Sequence, residues 1–411
     1  MLQTIIGKVR MFFWGVVFLM PVSCISDYNA DYVEKRTVLV YIAADNNLSQ
    51  FANPNIKSMS SGFGRRSENL NLLVFVDRKD VVPVLLHVNS NEIDTVKVYP
   101  ELNSADTDVL REVIDYVCDN WKSDSYGLVL WSHGTGWVPT NQLNYVAPNL
   151  GWIQSRDGST PLSDVLAWQR YPSVETKAFA WEDRSKGTPR YSCMEIDALT
   201  DAIPEGVFDY IVFDACYMGN VEVIYALRNK TRYIVSSCYE IEGYGFPYDR
   251  ITRDLMNGNL IKTCREFYDY YSISGTMQMA GVSLVKTDGL DSLASCFRKI
   301  VEKYGDRVPD MDISDIQYLD RFRNHICFDL EDFLDKLDID NEYLTEFRLQ
   351  LERCIPYKVS TPYIFKDTFD EIKIDRYCGM SVYIPVREYD SHGLNEDYRK
   401  TEWSINTGYG Y

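Results

Sequence analysis

Two short apolar runs, each followed by a residue with a chemically reactive side chain, constrain this chain more than any other feature. The first run is Tyr126–Ser132, followed by His133, and the second is Tyr210–Ala215, followed by Cys216. Short aliphatic and aromatic runs that end at small or polar residues are typical of buried parallel strands. In an open α/β sheet, the carboxyl ends of such strands border the crevice where ligands bind. The sequence therefore predicts that His133 and Cys216 lie close together at one edge of a sheet.

Strands and helices alternate along the rest of the first 250 residues. Further strands are predicted at Thr37–Ala44, Leu70–Arg78, Thr95–Tyr99 and Tyr233–Ser237. Helices with one apolar face are predicted at Asp106–Trp121, Met194–Ile203, Val221–Asn229 and, further on, Leu290–Tyr304. This alternation predicts an α/β fold with a mainly parallel sheet flanked by helices.

The N-terminus has the order of an export signal. Two basic residues precede an apolar stretch, Met11–Met20, which is short for a membrane span. A Val-Ser-Cys run then resembles a bacterial lipoprotein cleavage site, with Cys24 as the lipidated residue, although Pro21 departs from the usual aliphatic residue. An uncleaved anchor is the alternative. In either case we expect the protein to work outside the cytoplasm, as a lipoprotein of the cell envelope if Cys24 is modified.

Charge and cysteine usage exclude several classes of function. The net charge of −18 argues against nucleic-acid binding, because phosphates would be repelled, but suits a cationic peptide partner. The ten cysteines are scattered, without a CxxC spacing, and only four His residues occur. We therefore expect mostly buried free thiols and no structural zinc site.

The residues at the two predicted strand ends suit thiol chemistry. A cysteine becomes a good nucleophile when a nearby base takes its proton, and His133 can serve as that base for Cys216. Gly134 lets the backbone approach a substrate carbonyl, so its N–H group and that of Cys216 are candidate oxyanion donors. Asp214 lies two residues before Cys216, and strand alternation places both side chains on the same side. An Asp at this point could instead cap a neighbouring helix.

Several segments of the chain resemble the clostripain family of cysteine peptidases, which has a caspase-like fold. The resemblance rests on Leu130–Gly134 with Gly136 and Trp137, on Asp214–Gly219 and on Gly243–Tyr248, with weaker similarity in Tyr41–Leu48 and Gly379–Pro385. These segments span about residues 37 to 385, most of the chain. The residues predict a signal peptide at 1–23, a lipid-anchored tether at 24–36 and a C-terminal subdomain at 251–411, and the resemblance implies that 37–250 form a caspase-like peptidase domain.

The same resemblance implies a substrate preference and a processing event. In the family, the Asp two residues before the Cys helps to select Arg or Lys, so Asp214 is the candidate, with Glu240 and Glu242 as further acidic groups. Family zymogens cleave themselves between the His and the Cys, and the candidate basic residues there are Arg184, Lys186 and Arg190. The proposed mechanism requires no cofactor. Calcium dependence occurs in the family and stays open here, because no Asp-x-Asp-x-Asp loop occurs.

Two other functions remain compatible with the residues. Asp45, Asp77 and Asp214 all lie at predicted strand ends, where they could hold Mg²⁺ for phosphoryl transfer, although the glycine pattern of a P-loop is missing. A surface binding protein on an inactive peptidase fold is the third hypothesis. The retention of both His133 and Cys216 argues against it. Neither the physiological substrate nor the oligomeric state follows from the sequence.

Overall fold

A nine-stranded sheet forms the centre of the molecule. The computed structural model describes residues 34–65, 67–90, 92–146, 179–183, 191–273, 279–368 and 370–410. The strands in chain order are β1 Arg36–Ala44, β2 Leu70–Arg78, β3 Val81–Asn89, β4 Glu92–Val98, β5 Ser125–Trp131, β6 Phe179–Asp183, β7 Tyr191–Met194, β8 Phe208–Asp214, β9 Thr231–Ser236, β10 Gly281–Lys286, β11 Phe328–Asp329, β12 Tyr357–Ser360, β13 Tyr363–Ile364, β14 Ile372–Lys373 and β15 Ser381–Val382.

The strand order places the two chemically interesting strands side by side. From one edge to the other, the large sheet runs β12-β10-β9-β8-β5-β1-β2-β3-β4. The five middle strands are parallel, and two antiparallel strands extend the sheet on each side. β5 pairs with β8 so that Trp131 lies opposite Asp214. The predicted α/β fold is confirmed, and the residues after β5 and β8 leave the sheet at the same edge.

Helices connect the strands and cover the sheet. Their bounds are α1 Ser49–Gly62, α2 Thr107–Asn120, α3 Leu143–Val146, α4 Ile196–Ala202, α5 Val221–Ala226, α6 Tyr248–Met256, α7 Leu260–Ile273, α8 Leu290–Tyr304, α9 Leu330–Lys336, α10 Asn341–Cys354, α11 Leu394–Tyr398 and α12 Glu402–Thr407. Side-chain caps fix several of their N-termini: Asp106 accepts a hydrogen bond from the Asp108 N–H at 2.9 Å, and Asn220 accepts one from the Val223 N–H at 3.1 Å.

The central strands are buried on both faces, as their apolar sequences predict. All nine residues of β1 are buried, and only one residue of β8 is partly exposed. All nine cysteines within the described residues are free thiols. In the same residues, no helix combines the length and the apolar character that crossing a membrane would require.

The region after residue 250 is built into the same sheet. β10 pairs with β9, and β12 pairs with β10 at the edge. The chain from Glu34 onward forms one compact unit. The residues assigned to a C-terminal subdomain therefore share a core with the residues before them.

Candidate active site

His133 and Cys216 line one cleft at the carboxyl edge of the parallel strands. Asp214 and Glu242 line the same cleft, together with main-chain atoms of the loop after β9. The cleft has a volume of about 20 Å³. A void of that size holds roughly one water molecule, so a substrate side chain enters only if the cleft widens.

His133 follows directly from β5 and is oriented by a side chain from the loop after β1. Its Nε2 atom lies 2.8 Å from Oδ1 of Asn47. If Nε2 carries the proton, it donates to Asn47, and Nδ1 is then the unprotonated nitrogen that can act as the base. The sequence analysis did not single out Asn47, although it lies in Tyr41–Leu48, one of the segments that carry the family resemblance.

Cys216 is buried, and its thiol is held by the loop after β9. Only 7% of the residue is exposed. The N–H group of Ile241 donates to Sγ at 3.2 Å, and the thiol in turn lies 3.6 Å from the Ile241 carbonyl oxygen. Within the described residues, the hydrogen bonds of Sγ run to Ile241 and none runs to His133. Burial raises the pKa of the Cys216 thiol, and the nearby charge of Glu240 raises it further.

Gly134 touches the backbone of Cys216. A Cβ atom at Gly134 would lie 2.5 Å from the Cys216 carbonyl oxygen and 3.1 Å from Cβ of Ala215. Only glycine permits this approach. Across the described residues, the N–H groups of Gly134 and Cys216 donate no hydrogen bonds, so both predicted oxyanion donors remain available.

The turn after Cys216 has an unusual backbone and is tied down at several points. Tyr217 has a φ of 59°, a left-handed conformation that non-glycine residues seldom adopt. Its N–H donates to the Tyr239 carbonyl at 2.9 Å, and its carbonyl accepts from Nδ2 of Asn220 at 2.6 Å. These hydrogen bonds hold the turn that presents Cys216, and the turn continues directly into α5.

Asp214 lies at the bottom of the cleft, as strand alternation predicts, but it also has a structural contact. Its Oδ2 atom accepts the Phe246 N–H at 3.0 Å and the Tyr248 hydroxyl at 2.8 Å, where α6 begins. Neither donor is a main-chain N–H of the first turn of α6, so Asp214 does not cap that helix, and its Oδ1 atom has no hydrogen bond within the described residues. Burial raises the pKa of Asp214 to about 6, and the two hydrogen bonds oppose that rise.

The two glutamates predicted beside Asp214 differ in position. Glu242 is buried and lines the cleft. Glu240 instead forms two hydrogen bonds to Arg321, at 2.7 and 3.1 Å, and accepts a third from the Tyr217 hydroxyl. The structure corrects the assignment of Glu240 as a substrate ligand, because Arg321 already neutralises its carboxylate. Sequence inspection missed Arg321, which lies 81 residues further along the chain.

Other predicted residues lie away from the cleft or outside the described chain. Cys24 and the three basic residues at 184, 186 and 190 are outside the described residues. His392, the other residue in a Ser-His-Gly run, is exposed and stacks on Tyr145 at 3.7 Å between ring centres. It is thus separate from the cleft residues.

The carboxylates proposed for Mg²⁺ do not form one site. The pKa of Asp77 is raised mainly by burial and further by the charge of Asp45, so these two carboxylates interact. Asp214 instead accepts hydrogen bonds from Phe246 and Tyr248 at the start of α6. In the described part of the chain, no group of three or more His, Cys, Asp or Glu side chains is placed to hold a metal ion. This arrangement gives the Mg²⁺ hypothesis no support, and calcium dependence stays open.

Comparison with known proteins gives a consistent result. The model of the clostripain family matches residues 40–160 and 166–392. Clostripain of Hathewaya histolytica is 27% identical over 257 residues, which cover 55% of this chain. The match spans 43% of that protein's length, less than half of it.

Solved structures extend the similarity over nearly the whole chain. An inactive zymogen C11 protease from Parabacteroides distasonis is 28% identical, with a TM-score of 0.74 over 91% of this chain and 99% of that chain. A secreted C11 cysteine protease from Bacteroides thetaiotaomicron, in complex with an irreversible peptide inhibitor, is 27% identical, with a TM-score of 0.71 over 91% of this chain and 98% of that chain. Since the family model matches most of the chain and the fold agrees, the chain belongs to the clostripain family.

Proposed function

We propose that this protein is an exported, lipid-anchored cysteine endopeptidase that cleaves peptide bonds after Arg or Lys. The observation that carries the proposal is the cleft that His133, Cys216 and Asp214 share at the ends of two neighbouring parallel strands. A related protease of the same fold takes an irreversible peptide inhibitor, which supports a peptide as the substrate.

The proposed reaction uses Cys216 as nucleophile and His133 as proton carrier. His133 removes the thiol proton, and the thiolate attacks the carbonyl carbon of the scissile bond. The N–H groups of Gly134 and Cys216 donate to the oxyanion that forms. The C–N bond then breaks, the leaving amine takes the proton from His133, and a thioester to Cys216 remains. Water attacks this thioester as His133 takes its proton, the C–S bond breaks, the carboxylic acid product leaves, and the proton on His133 returns to the Cys216 thiolate.

The resting geometry must change before this reaction. Sγ of Cys216 is hydrogen-bonded to Ile241, so the side chain has to turn toward His133. Catalytic hydrogen bonds are often long or absent without substrate and tighten only in the complex. The narrow cleft has to widen as well, so that a substrate cation can reach Oδ1 of Asp214.

Single substitutions test the proposed pair of catalytic residues. We expect Cys216→Ala and His133→Ala each to lower the hydrolysis of a fluorogenic Arg peptide by about 10³-fold or more, because the two residues act as a unit. His392→Ala is the matched control, since it changes a histidine in the same tripeptide context away from the cleft. Hydrolysis that survives in either first variant, or is lost in His392→Ala, would contradict the assignment.

Simple assays of the wild-type protein separate the alternatives. Inhibition by iodoacetamide supports the thiol mechanism, whereas activity on phosphate compounds that requires Mg²⁺ would support phosphoryl transfer. A folded protein that turns over no basic peptide would favour the inactive binding protein.

A further inference from the structure

An ion pair buried beside Cys216 joins two distant parts of the chain. Nε of Arg321 donates to Oε1 of Glu240 at 2.7 Å, and the second guanidinium nitrogen donates to Oε2 at 3.1 Å. The two side chains are 3% and 0% exposed. Arg321 also lies over the Phe365 ring, at 4.8 Å from its centre, and 3.8 Å from Asp370. Two-point pairing of this kind fixes orientation as well as charge.

This pair contacts the chain on both sides of the thiol. The hydroxyl of Tyr217, the residue after Cys216, donates to Glu240 at 2.6 Å. Ile241, the residue after Glu240, donates its N–H to Sγ of Cys216 at 3.2 Å. A shift of Glu240 would therefore move both the turn that presents the thiol and the main-chain group that binds it.

The pair also determines the charge near the thiol. The ionisable groups around it come from several elements: His133 after β5, Asp214 on β8, Glu240 and Glu242 after β9, and Arg321 in the segment before β11, with Asp370 next to Arg321. After burial, the charge of Glu240 is the largest cause that raises the pKa of Cys216, and Arg321 opposes it. Removal of Arg321 would leave a buried carboxylate without its partner, which is costly and disfavours a thiolate nearby.

We propose that Arg321 is a positioning residue for Cys216: through its pair with Glu240 it fixes the Tyr217 turn and the Ile241 N–H, and it cancels a carboxylate charge that opposes thiolate formation. This inference rests on the proposed function, in which the Cys216 thiolate is the nucleophile. It adds a requirement outside the cleft, because neither Arg321 nor Glu240 lines it.

The pH dependence of Cys216 alkylation tests the proposal. Iodoacetamide modification of the peptide that contains Cys216 is followed by mass spectrometry from pH 5 to 10 in wild type, Arg321→Gln, Glu240→Gln and the double variant. We expect Arg321→Gln to alkylate about tenfold more slowly at pH 7, with its profile moved up by about one pH unit. Glu240→Gln should move the profile down, and the double variant should return close to the wild-type profile because neither amide carries a charge.

Arg387→Gln is the matched control, since it breaks an Arg–Asp pair with similar geometry, 2.9 and 3.0 Å to Asp310, on the exposed surface. Its profile should equal the wild-type profile. A folded Arg321→Gln protein with the wild-type profile overturns the proposal. If Arg321→Gln does not fold, an unchanged profile in Glu240→Gln overturns it instead. Alkylation reports on the thiol whether or not peptides are cleaved, so failure of this inference is distinguishable from failure of the proposed function.

Discussion

At the scale of single residues, Asp214 is a carboxylate whose charge changes near neutral pH. Burial raises its pKa to about 6, so in the resting protein the group gains its charge as the pH rises through that value. Under the proposed function, a substrate cation binds the ionised form, and its own charge then lowers the pKa again. Selectivity for basic peptides should therefore increase as the pH rises through about 6.

We predict that Asp214→Asn lowers the ratio of kcat/KM for an Arg peptide to that for a matched Leu peptide by about 10- to 150-fold. A hydrogen bond to a charged group contributes roughly 1.5–3 kcal/mol, and about 1.4 kcal/mol corresponds to a factor of ten. In wild type the ratio should rise between pH 5 and 7 and then level off, whereas in Asp214→Asn it should stay flat. Alkylation of Cys216 at pH 8 checks that the nucleophile is intact. An unchanged ratio would leave Asp214 with its contact to α6 only.

The same residues show what a sequence can and cannot predict about this site. His133, Cys216 and Asp214 were found because each follows or closes an apolar run, and strand geometry then determines where they lie. Asn47 and Arg321 were missed because they lie in irregular segments, where no periodicity indicates the direction of a side chain. Glu240 was misassigned for the same reason, since its partner is 81 residues away.

At the scale of elements, the buried strands were predicted more accurately than the edge strands. Leu70–Arg78 was predicted with its observed bounds, and β5 and β8 within two residues. Of β3, the sequence predicts only Val84–Val88 as strand, around His87, and it places the start of β4 at Thr95 rather than Glu92. β4 forms the edge of the sheet with five of its seven residues exposed, so its sequence lacks the continuous apolar run of a buried strand, whereas β3 keeps such a run in Val84–Leu86 and begins with two exposed valines.

The contact between the elements that follow β5 and β8 gives a second prediction. In Gly134→Ala, the new Cβ would lie 2.5 Å from the Cys216 carbonyl oxygen, so the two backbones must separate. We expect kcat/KM to fall at least about tenfold, because an oxyanion donor and the nucleophile both move. Gly305→Ala is the control, since its closest contact would be a Val301 methyl at 3.2 Å. Equal kcat/KM in both variants and wild type would show that this approach is not needed for activity.

At the scale of the whole molecule, the chain between His133 and Cys216 is where the family resemblance predicts processing. The described parts of this segment include β6 and β7, which pair antiparallel from Phe179 with Met194 to Asp183 with Tyr191. The residues 184–190 connect these paired strands and contain all three predicted cleavage points. A cut there would leave both new ends next to strands that stay paired, which is compatible with a protein that remains folded after cleavage.

We predict that the triple variant Arg184→Ala, Lys186→Ala, Arg190→Ala stays as one chain and has at least about tenfold lower activity than the processed wild type, as expected if cleavage allows the cleft to widen. Denaturing electrophoresis and peptide hydrolysis on the same samples provide the test. Lys122→Ala, which changes an exposed lysine that pairs with Asp119, serves as the control. Full activity in an uncleaved triple variant would exclude an activating role for these sites.

We propose that the N-terminal residues determine the position of the protein in the cell. The basic residues, short apolar stretch and Cys24 predict a lipid-bearing N-terminus, and a stable membrane attachment of this kind follows from burial of acyl chains, at about 0.8 kcal/mol per buried CH₂.

We predict that the wild-type protein enters the detergent phase of a Triton X-114 extract and that Cys24→Ala loses most of this partitioning. Cys118→Ala, which changes a cysteine that is a free thiol in the structure, is the control. Intact-mass measurement distinguishes a lipidated chain starting at Cys24 from an uncleaved anchor that keeps Met1. Equal partitioning of wild type and Cys24→Ala would contradict lipidation, and a mass that includes residues 1–23 would assign the attachment to the apolar stretch instead.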